Sequence, residues 1–143
     1  VCDNLILSRF LLMREAEDAK ADIELHPKPV MGDWNGSGCH INFSTKMTRG
    51  KGGKSYFEAI CERLEDQHDT HMKVYGLYND QRLTGKHETQ DIRKFSYGVS
   101  DRGASIRIPE NVGKTWKGYL EDRRPSSNVD PYLATAAIVN TLQ

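Results

Sequence analysis

One short segment of this sequence places hydrogen-bonding side chains at every second position. In the run Cys-His-Ile-Asn-Phe-Ser, the polar residues His40, Asn42 and Ser44 alternate with apolar ones. A period of two is typical of a β-strand, so these three side chains should share one face. An imidazole nitrogen commonly binds divalent metal ions, and the amide and hydroxyl could hydrogen-bond to a nucleotide. The alternative is a structural histidine, because a metal site normally needs several converging ligands.

A second segment, around Glu121, has the same period. Tyr119, Glu121 and Arg123 would lie on one face of a strand, with core residues on the other. Glu121 could therefore supply a second ligand to a metal at His40. The alternative is an ordinary salt bridge to Arg123 or Arg124.

Arginines accumulate in the same half of the chain. Guanidinium groups bind carboxylates and phosphates in a bidentate manner, so several of them on polar strand faces would suit an anionic substrate or a phosphoryl group in transfer. The alternative is a surface network of ion pairs that each contribute little. The positions of Arg107 and Arg123, opposite core residues, favour a site. The five arginines are Arg82, Arg102, Arg107, Arg123 and Arg124.

A third motif matches a phosphate-binding loop only in part. Gly53-Lys54-Ser55 precedes a predicted helix, as at the end of a P-loop. That motif also requires a glycine five residues before Gly53, where this chain has Thr48. A solvated loop leading into a helix explains these residues better.

Three helices are predicted from apolar residues at helical spacing and from capping signals. They cover residues 4–20, Tyr56 to about His68 behind a Ser55–Glu58 capping box, and the segment after Asp130-Pro131, an N-cap aspartate followed by proline.

Strands are predicted where polar and apolar residues alternate. Between them lie a basic, glycine-rich loop over residues 46–54 and a polar stretch over residues 79–91 that is too charged for a core. The predicted strands are Cys39–Ser44, Met72–Tyr75, Gly103–Pro109 and Gly118–Arg123, so the chain should fold as mixed α and β.

Composition excludes several classes of protein. The 143 residues carry 20 basic and 20 acidic side chains, so any anion site must be local and a broad nucleic-acid-binding surface is not expected. No apolar stretch approaches the ~18 residues that span a bilayer. The three cysteines, Cys2, Cys39 and Cys61, form no CxxC pair, which argues against a disulfide framework or zinc knuckle and favours a reducing compartment. Because the chain opens within an apolar segment and stops within a predicted helix, we expect a segment of a longer protein.

Four longer motifs resemble the successive signatures of the eukaryotic-like type II glutamine synthetases. Their order and spacing match this family over nearly all of the chain. The motifs are KPVMGDWNGSGCHINFST from Lys28, RLTGKHE from Arg82, RGASIRIP from Arg102 and GYLEDRRPSSN from Gly118.

The resemblance implies a fold and an assembly. The fold would be α+β, with a curved, mostly antiparallel sheet flanked by helices. Residues 1–143 would form a segment of the catalytic domain, without the small N-terminal domain and the upstream catalytic part. The parent protein would be a homo-oligomer of stacked rings with active sites between subunits, in the cytoplasm or, as an alternative, in a plastid or mitochondrion.

The resemblance also implies a reaction. Ammonia would be ligated to L-glutamate with ATP as co-substrate and Mg²⁺ or Mn²⁺ as cofactor, through γ-glutamyl phosphate. Glutamate, ammonia and ATP would be the partners, with no nucleic acid and no membrane. The segment by itself should be inactive, because it would hold only part of the active site.

Catalytic and metal-binding roles fall on four residues by this resemblance. Glu88 matches the flap glutamate that helps to close the site and accepts a proton from ammonium. Arg102 matches an arginine that contacts both ATP and glutamate. His40 and Glu121 match ligands of one divalent metal ion.

Substrate-binding roles are implied in the same way. The ATP-binding positions are matched by His40, Asn42, Ser44, Arg102, Arg107 and Tyr119, and the glutamate-binding positions by Asp33, Trp34, Arg82, Arg102 and Arg123.

Two alternative functions follow from the same motifs. A γ-glutamyl-polyamine ligase would share the ATP and glutamate residues and differ in its amine pocket. A non-catalytic structural relative of crystallin type would keep only the fold. The joint presence of so many charged residues in one cleft argues against the structural relative, because buried charges cost stability.

Overall fold

A four-stranded sheet, covered on one face by helices, organises the chain. The structure is a computed structural model that describes residues 1–143. No helix in it is both long and apolar enough to cross a membrane. The helices are α1 (Cys2–Asp18), α2 (Lys46–Arg49), α3 (Lys54–Asp66), α4 (His68–Met72), α5 (Glu110–Thr115) and α6 (Pro131–Leu142), and the strands are β1 (Ile41–Phe43), β2 (Tyr97–Val99), β3 (Ile106–Ile108) and β4 (Leu120–Asp122).

The strands lie in the order β1-β4-β3-β2. β4 is antiparallel to both of its neighbours, whereas β2 and β3 are parallel. The α+β class is therefore confirmed, and the sheet is mixed. β2, a three-residue edge strand whose Tyr97 and Val99 are exposed, is absent from the predicted strands.

The main core forms where α3 packs on the sheet. Ile106 and Ile108 of β3 and Leu120 of β4 are at most 1% exposed. This is the apolar face that the alternating pattern predicts for both strands. The side chains that α3 and α5 pack against it are Phe57, Ile60, Cys61, Leu64 and Val112.

A buried ion pair lies on the same side of β4. Asp122 and Arg124 are 0% and 1% exposed. Arg124 donates from Nε and Nη2 to the two carboxylate oxygens of Asp122 at 2.9 and 2.7 Å. Tyr75 donates its hydroxyl proton to Asp122 at 2.7 Å, and Arg124 lies 3.2 and 3.0 Å from Nδ1 of His68 and His71. The network satisfies both buried charges, as a stable buried pair requires.

The ionised form of this pair is maintained in the core. Burial would raise the pKa of Asp122, but the charge and hydrogen bonds of Arg124 outweigh burial and lower the pKa. Burial raises the pKa of Tyr75, so its hydroxyl stays a donor.

The predicted strand Met72–Tyr75 is wrong. α4 ends at Met72, and the chain then turns toward the core. Tyr75 is fully buried because its hydroxyl binds Asp122. The alternating residues of this segment therefore form a turn, which places the Tyr75 ring beneath β4.

The predicted Ser55–Glu58 capping box is also wrong. α3 begins at Lys54, and its N-cap is Gly53, whose φ of 76° suits glycine. A capping box occurs instead at α2, where the side chains of Thr45 and Thr48 each accept from the other's backbone N–H. The predicted start of α6 is confirmed, because Asp130 accepts from the first backbone N–H groups of that helix.

Arg124→Met should lower the free energy of unfolding by about 3–5 kcal/mol, because Asp122 would stay buried without its partner. Arg93→Met is the matched control, since Arg93 pairs with Asp91 at the same spacing but its side chain is 83% exposed. The control should leave the free energy nearly unchanged. Urea denaturation measures the free energy of unfolding of both variants. Equal decreases in the two variants would contradict a special role for the buried pair.

His71 should make stability depend on pH. Burial, followed by the charge of Arg124, lowers the pKa of His71 from 6.5 to about 4. Below pH 6.5 His71 binds a proton in the unfolded chain but stays neutral in the folded protein. The free energy of unfolding therefore falls as the pH drops from 6.5 to 4, by up to about 3 kcal/mol. His71→Asn should flatten this slope in urea denaturation. An unchanged slope in His71→Asn would contradict the assignment.

Candidate active site

The polar face of the sheet carries a row of side chains from three neighbouring strands. Asn42 of β1 pairs with Glu121 of β4, and Glu121 pairs with Arg107 of β3. Neighbouring strands are about 4.8 Å apart, so the three side chains lie next to one another. The face predicted for these residues from their period of two is confirmed.

His40 meets Glu121 on this face. The Nδ1 atom of His40 is 3.2 Å from Oε1 of Glu121. Two adjacent ligands of one divalent ion, each about 2.1 Å from it, are about 3.0–3.4 Å apart. No group of three His, Cys, Asp or Glu side chains able to hold a metal occurs in the chain. The pair thus fits part of a metal site and needs ligands from elsewhere.

Two arginines neutralise Glu121. Arg107 donates from Nη1 to Oε2 at 2.7 Å, and Nη1 of Arg123 is 3.3 Å from Oε1. Burial would raise the pKa of Glu121, but the hydrogen bond from Arg107 and the charge of Arg123 outweigh it and lower the pKa. The carboxylate therefore stays charged.

His40 is held in its neutral form by its surroundings. Burial lowers the pKa of His40, and the charges of Arg123 and Arg82 lower it further, against the opposing effect of Glu121. A neutral imidazole keeps a lone pair, which a metal ligand requires.

Arg82 is a buried residue that joins His40 to the end of β4. Its Nη1 atom donates to Asn79 and to the carbonyl of Arg124, both at 3.2 Å. Its Nη2 atom donates to the carbonyl of Arg123 at 2.9 Å and lies 3.3 Å from Nε2 of His40. Burial lowers the pKa of Arg82 to about 10, so it stays charged at neutral pH. Only the Nη2 end of this predicted glutamate ligand faces the site.

Two glycines make room for Arg82. A Cβ atom at Gly38 would lie 2.4 Å from Nη2 of Arg82, and one at Gly36 would lie 2.7 Å from its Cγ. A side chain at Gly38 would require Arg82 to move, and one at Gly36 would also meet the backbone carbonyl of Pro27 at 2.6 Å. The Gly-Ser-Gly spacing is thus a sequence signal for the arginine's path, which our sequence analysis did not interpret.

Glu88 and Arg102 lie beside Arg123, at the edge of this face. Oε1 of Glu88 is 3.5 Å from Nη1 of Arg102. Arg123 donates to the carbonyls of Arg102 and Glu88 at 3.1 and 3.4 Å. A cavity of about 130 Å³ opens here, lined by Asn35, Gly36, Gly38, His40, Arg82, His87, Glu88, Thr89 and Arg123.

Asp33 and Trp34 do not join this cavity. The Asp33 carboxylate is 3.2 Å from Nε2 of His87. Trp34 is 64% exposed, and its carbonyl accepts a hydrogen bond from Lys28. The Asp33 side chain is 98% exposed and only approaches the turn that carries Glu88.

Ser44 and Tyr119 lie at the far end of the polar face. Arg49 donates from Nη1 to the Ser44 hydroxyl at 2.7 Å. Tyr119 is 40% exposed just before β4. Arg49 is absent from the predicted site residues, because its place in a basic loop gives no periodic signal. Arg124, counted among the possible site arginines, lies in the core instead because it pairs with Asp122.

Comparisons with known proteins agree with the motifs. No protein-family profile matches the chain. The chain is 56% identical over 140 residues to the glutamine synthetase of Schizosaccharomyces pombe, covering 98% of this chain and 39% of that protein. It is 52% identical over 142 residues to that of Kluyveromyces lactis, covering 99% and 38%.

A third glutamine synthetase is similar to this chain to the same extent. The glutamine synthetase of Emericella nidulans is 56% identical over 140 residues, covering 98% of this chain and 39% of the relative. The chain thus spans about two fifths of the length of these relatives. Nearly the whole chain is therefore homologous to a segment of the eukaryotic-type glutamine synthetases.

Proposed function

We propose that this chain contributes to an enzyme that ligates ammonia to L-glutamate, giving L-glutamine, ADP and phosphate from ATP. The observation that carries the proposal is the pairing of His40 with Glu121, 3.2 Å apart, on a face that Arg107 and Arg123 make positive. The relatives that share more than half of its residues are glutamine synthetases, which supports the same reaction.

His40 and Glu121 would hold Mg²⁺ or Mn²⁺ in this enzyme. A neutral imidazole and a carboxylate suit such an ion, and the distance between their donor atoms suits adjacent ligands. A bound ion would polarise the phosphoryl group in transfer. The remaining ligands would come from parts of the protein outside this chain.

The first chemical step joins two anions. An oxygen of the glutamate side-chain carboxylate attacks the γ-phosphorus of ATP, and the bond from that phosphorus to the ADP oxygen breaks. Arg102, Arg107 and Arg123 would neutralise the charge that accumulates in this transfer. The Arg107 guanidinium is held on this face by its hydrogen bond to Glu121.

ATP would lie along the polar face of the sheet. His40 would be near its phosphates, because the metal site is there. Asn42, Ser44 and Tyr119 continue the same face away from this site, where they would bind the rest of the nucleotide. Arg82, whose Nη2 atom lies beside His40, would contact glutamate with the N–H that does not bind the Arg123 carbonyl.

The second step releases phosphate. Ammonia attacks the acyl carbon of γ-glutamyl phosphate, and the carbon–oxygen bond to phosphate breaks. Ammonium must first lose a proton, which the Glu88 carboxylate would accept. An acyl phosphate reacts with water, so a turn that carries Glu88 over the site would also protect the intermediate.

The assembly is part of the proposal. This chain would be a segment of the catalytic domain in a homo-oligomer of stacked rings. The other metal ligands and the neighbouring subunit's small domain would complete the site, so the segment alone should be inactive.

The full-length protein should release phosphate and form glutamine only when ATP, glutamate and ammonium are all present. Substituting a polyamine for ammonium distinguishes the alternatives. Release with the polyamine alone would indicate a γ-glutamyl-polyamine ligase. No release with either amine would overturn the enzymatic proposal and favour a structural relative.

Glu121→Gln should weaken Mn²⁺ binding at least about 10-fold, since even residues that only orient metal ligands contribute that much. Titration calorimetry of the full-length protein measures the affinity without turnover. Glu110→Gln is the matched control, because Glu110 is an exposed partner of Lys114 on α5. If both variants bind Mn²⁺ like the wild type, Glu121 is not a ligand.

A further inference from the structure

Arg82 is a buried arginine that has no carboxylate partner. Its residue is only 5% exposed, yet no Asp or Glu oxygen lies within 4.0 Å of its guanidinium nitrogens. An arginine this buried normally pairs with a carboxylate, because an uncompensated buried charge costs stability. Three other arginines of the candidate site do have such a partner. The pairs are Arg102 with Glu88, and both Arg107 and Arg123 with Glu121.

Four neutral oxygen atoms hold the Arg82 guanidinium instead. Three are backbone carbonyls just after β4, those of Arg123, Arg124 and Pro125, at 2.9, 3.2 and 3.4 Å. The fourth is the side-chain amide oxygen of Asn79, which is 3.2 Å from Nη1. Neutral acceptors satisfy the N–H groups without cancelling the charge. The arginine therefore keeps its positive charge at the wall of the 130 Å³ cavity.

Asn79 is the one side chain among these four acceptors, and it is 3% exposed. Its Nδ2 atom donates to the carbonyl of Arg124 at 2.8 Å, while its Oδ1 atom accepts from Arg82. The backbone N–H of Arg82 also donates to the carbonyl of Asn79, at 3.1 Å. The side chain thus needs an acceptor toward Arg82 and a donor toward the Arg124 carbonyl. An amide supplies both, whereas a carboxylate supplies only acceptors.

We propose that Asn79 is a positioning residue that keeps the positive charge of Arg82 available to a carboxylate of glutamate. Its amide fixes the guanidinium just after β4 without neutralising it. A carboxylate at this position would pair with Arg82 and weaken the attraction of the arginine for an anionic substrate. The inference rests on the proposed function, because it takes glutamate as the anion that Arg82 attracts.

Asn79→Asp tests the proposal, because it replaces the amide by a carboxylate of nearly the same shape. In the full-length enzyme we expect KM for glutamate to rise at least about 10-fold, since one hydrogen bond to a charged group contributes about that much to binding. KM for ATP and the affinity for Mn²⁺ should not change. Asn111→Asp, the same exchange at an exposed position of α5, is the control and should keep the wild-type KM.

Asn79→Ala separates the added charge from the loss of the amide. Both variants lose the hydrogen bond to the Arg124 carbonyl, but only Asn79→Asp adds a negative charge beside Arg82. KM for glutamate should therefore rise less in Asn79→Ala than in Asn79→Asp. An equal or larger rise in Asn79→Ala, or a wild-type KM in Asn79→Asp, would overturn the proposal.

Urea denaturation of the same protein supplies a readout that needs no activity. On an Arg82→Met background, Asn79→Asp should lower the unfolding midpoint by more than it does alone, because the buried carboxylate then has no cationic partner. Loss of folding in the double variant alone would count as the larger decrease. Equal decreases would overturn the proposal, because position 79 would not act on the charge of Arg82. A larger decrease in a protein without glutamine-forming activity would support the pairing and overturn only the proposed function.

Discussion

The buried ion pair between Asp122 and Arg124 determines where β4 lies, and the rest of the molecule depends on that position. Both charges are removed from water, so the pair is stable only while Tyr75 and the two neighbouring histidines complete its hydrogen bonds. Because side chains alternate along a strand, holding Asp122 in the core places Glu121 on the opposite face. The network beneath the sheet and the candidate site above it therefore share one strand.

The local charge of the site depends on where three arginines lie, and the net charge of the chain does not determine it. The chain has equal numbers of acidic and basic residues, so it has no excess of positive charge to attract an anion. Arg107 and Arg123 instead converge on one carboxylate, and Arg82 approaches the adjacent imidazole. These contacts keep Glu121 ionised, and burial together with the arginine charges lowers the pKa of His40 and keeps it neutral. Binding a divalent cation requires both protonation states.

Local patterns predicted the parts of the fold that depend on local geometry. The faces of β1, β3 and β4 follow from a period of two, and the start of α6 follows from Asp130-Pro131. The patterns failed where contacts between distant segments determine the local structure. Met72–Tyr75 alternates like a strand, yet Tyr75 turns into the core to reach Asp122. β2 forms because β3 offers it a partner.

The sequence by itself determined which chemical groups are present, which of them share a strand face, and to which family of proteins the chain is similar. The tertiary structure alone decided the destination of the long side chains. Arg82 and Arg124 are equally plausible site arginines in the sequence, but both are buried, one against His40 and the other against Asp122. The contact between His87 and Asp33 joins residues more than fifty positions apart. The positions of these side chains depend on burial and on contact partners, and both exist only after distant segments of the chain have come together.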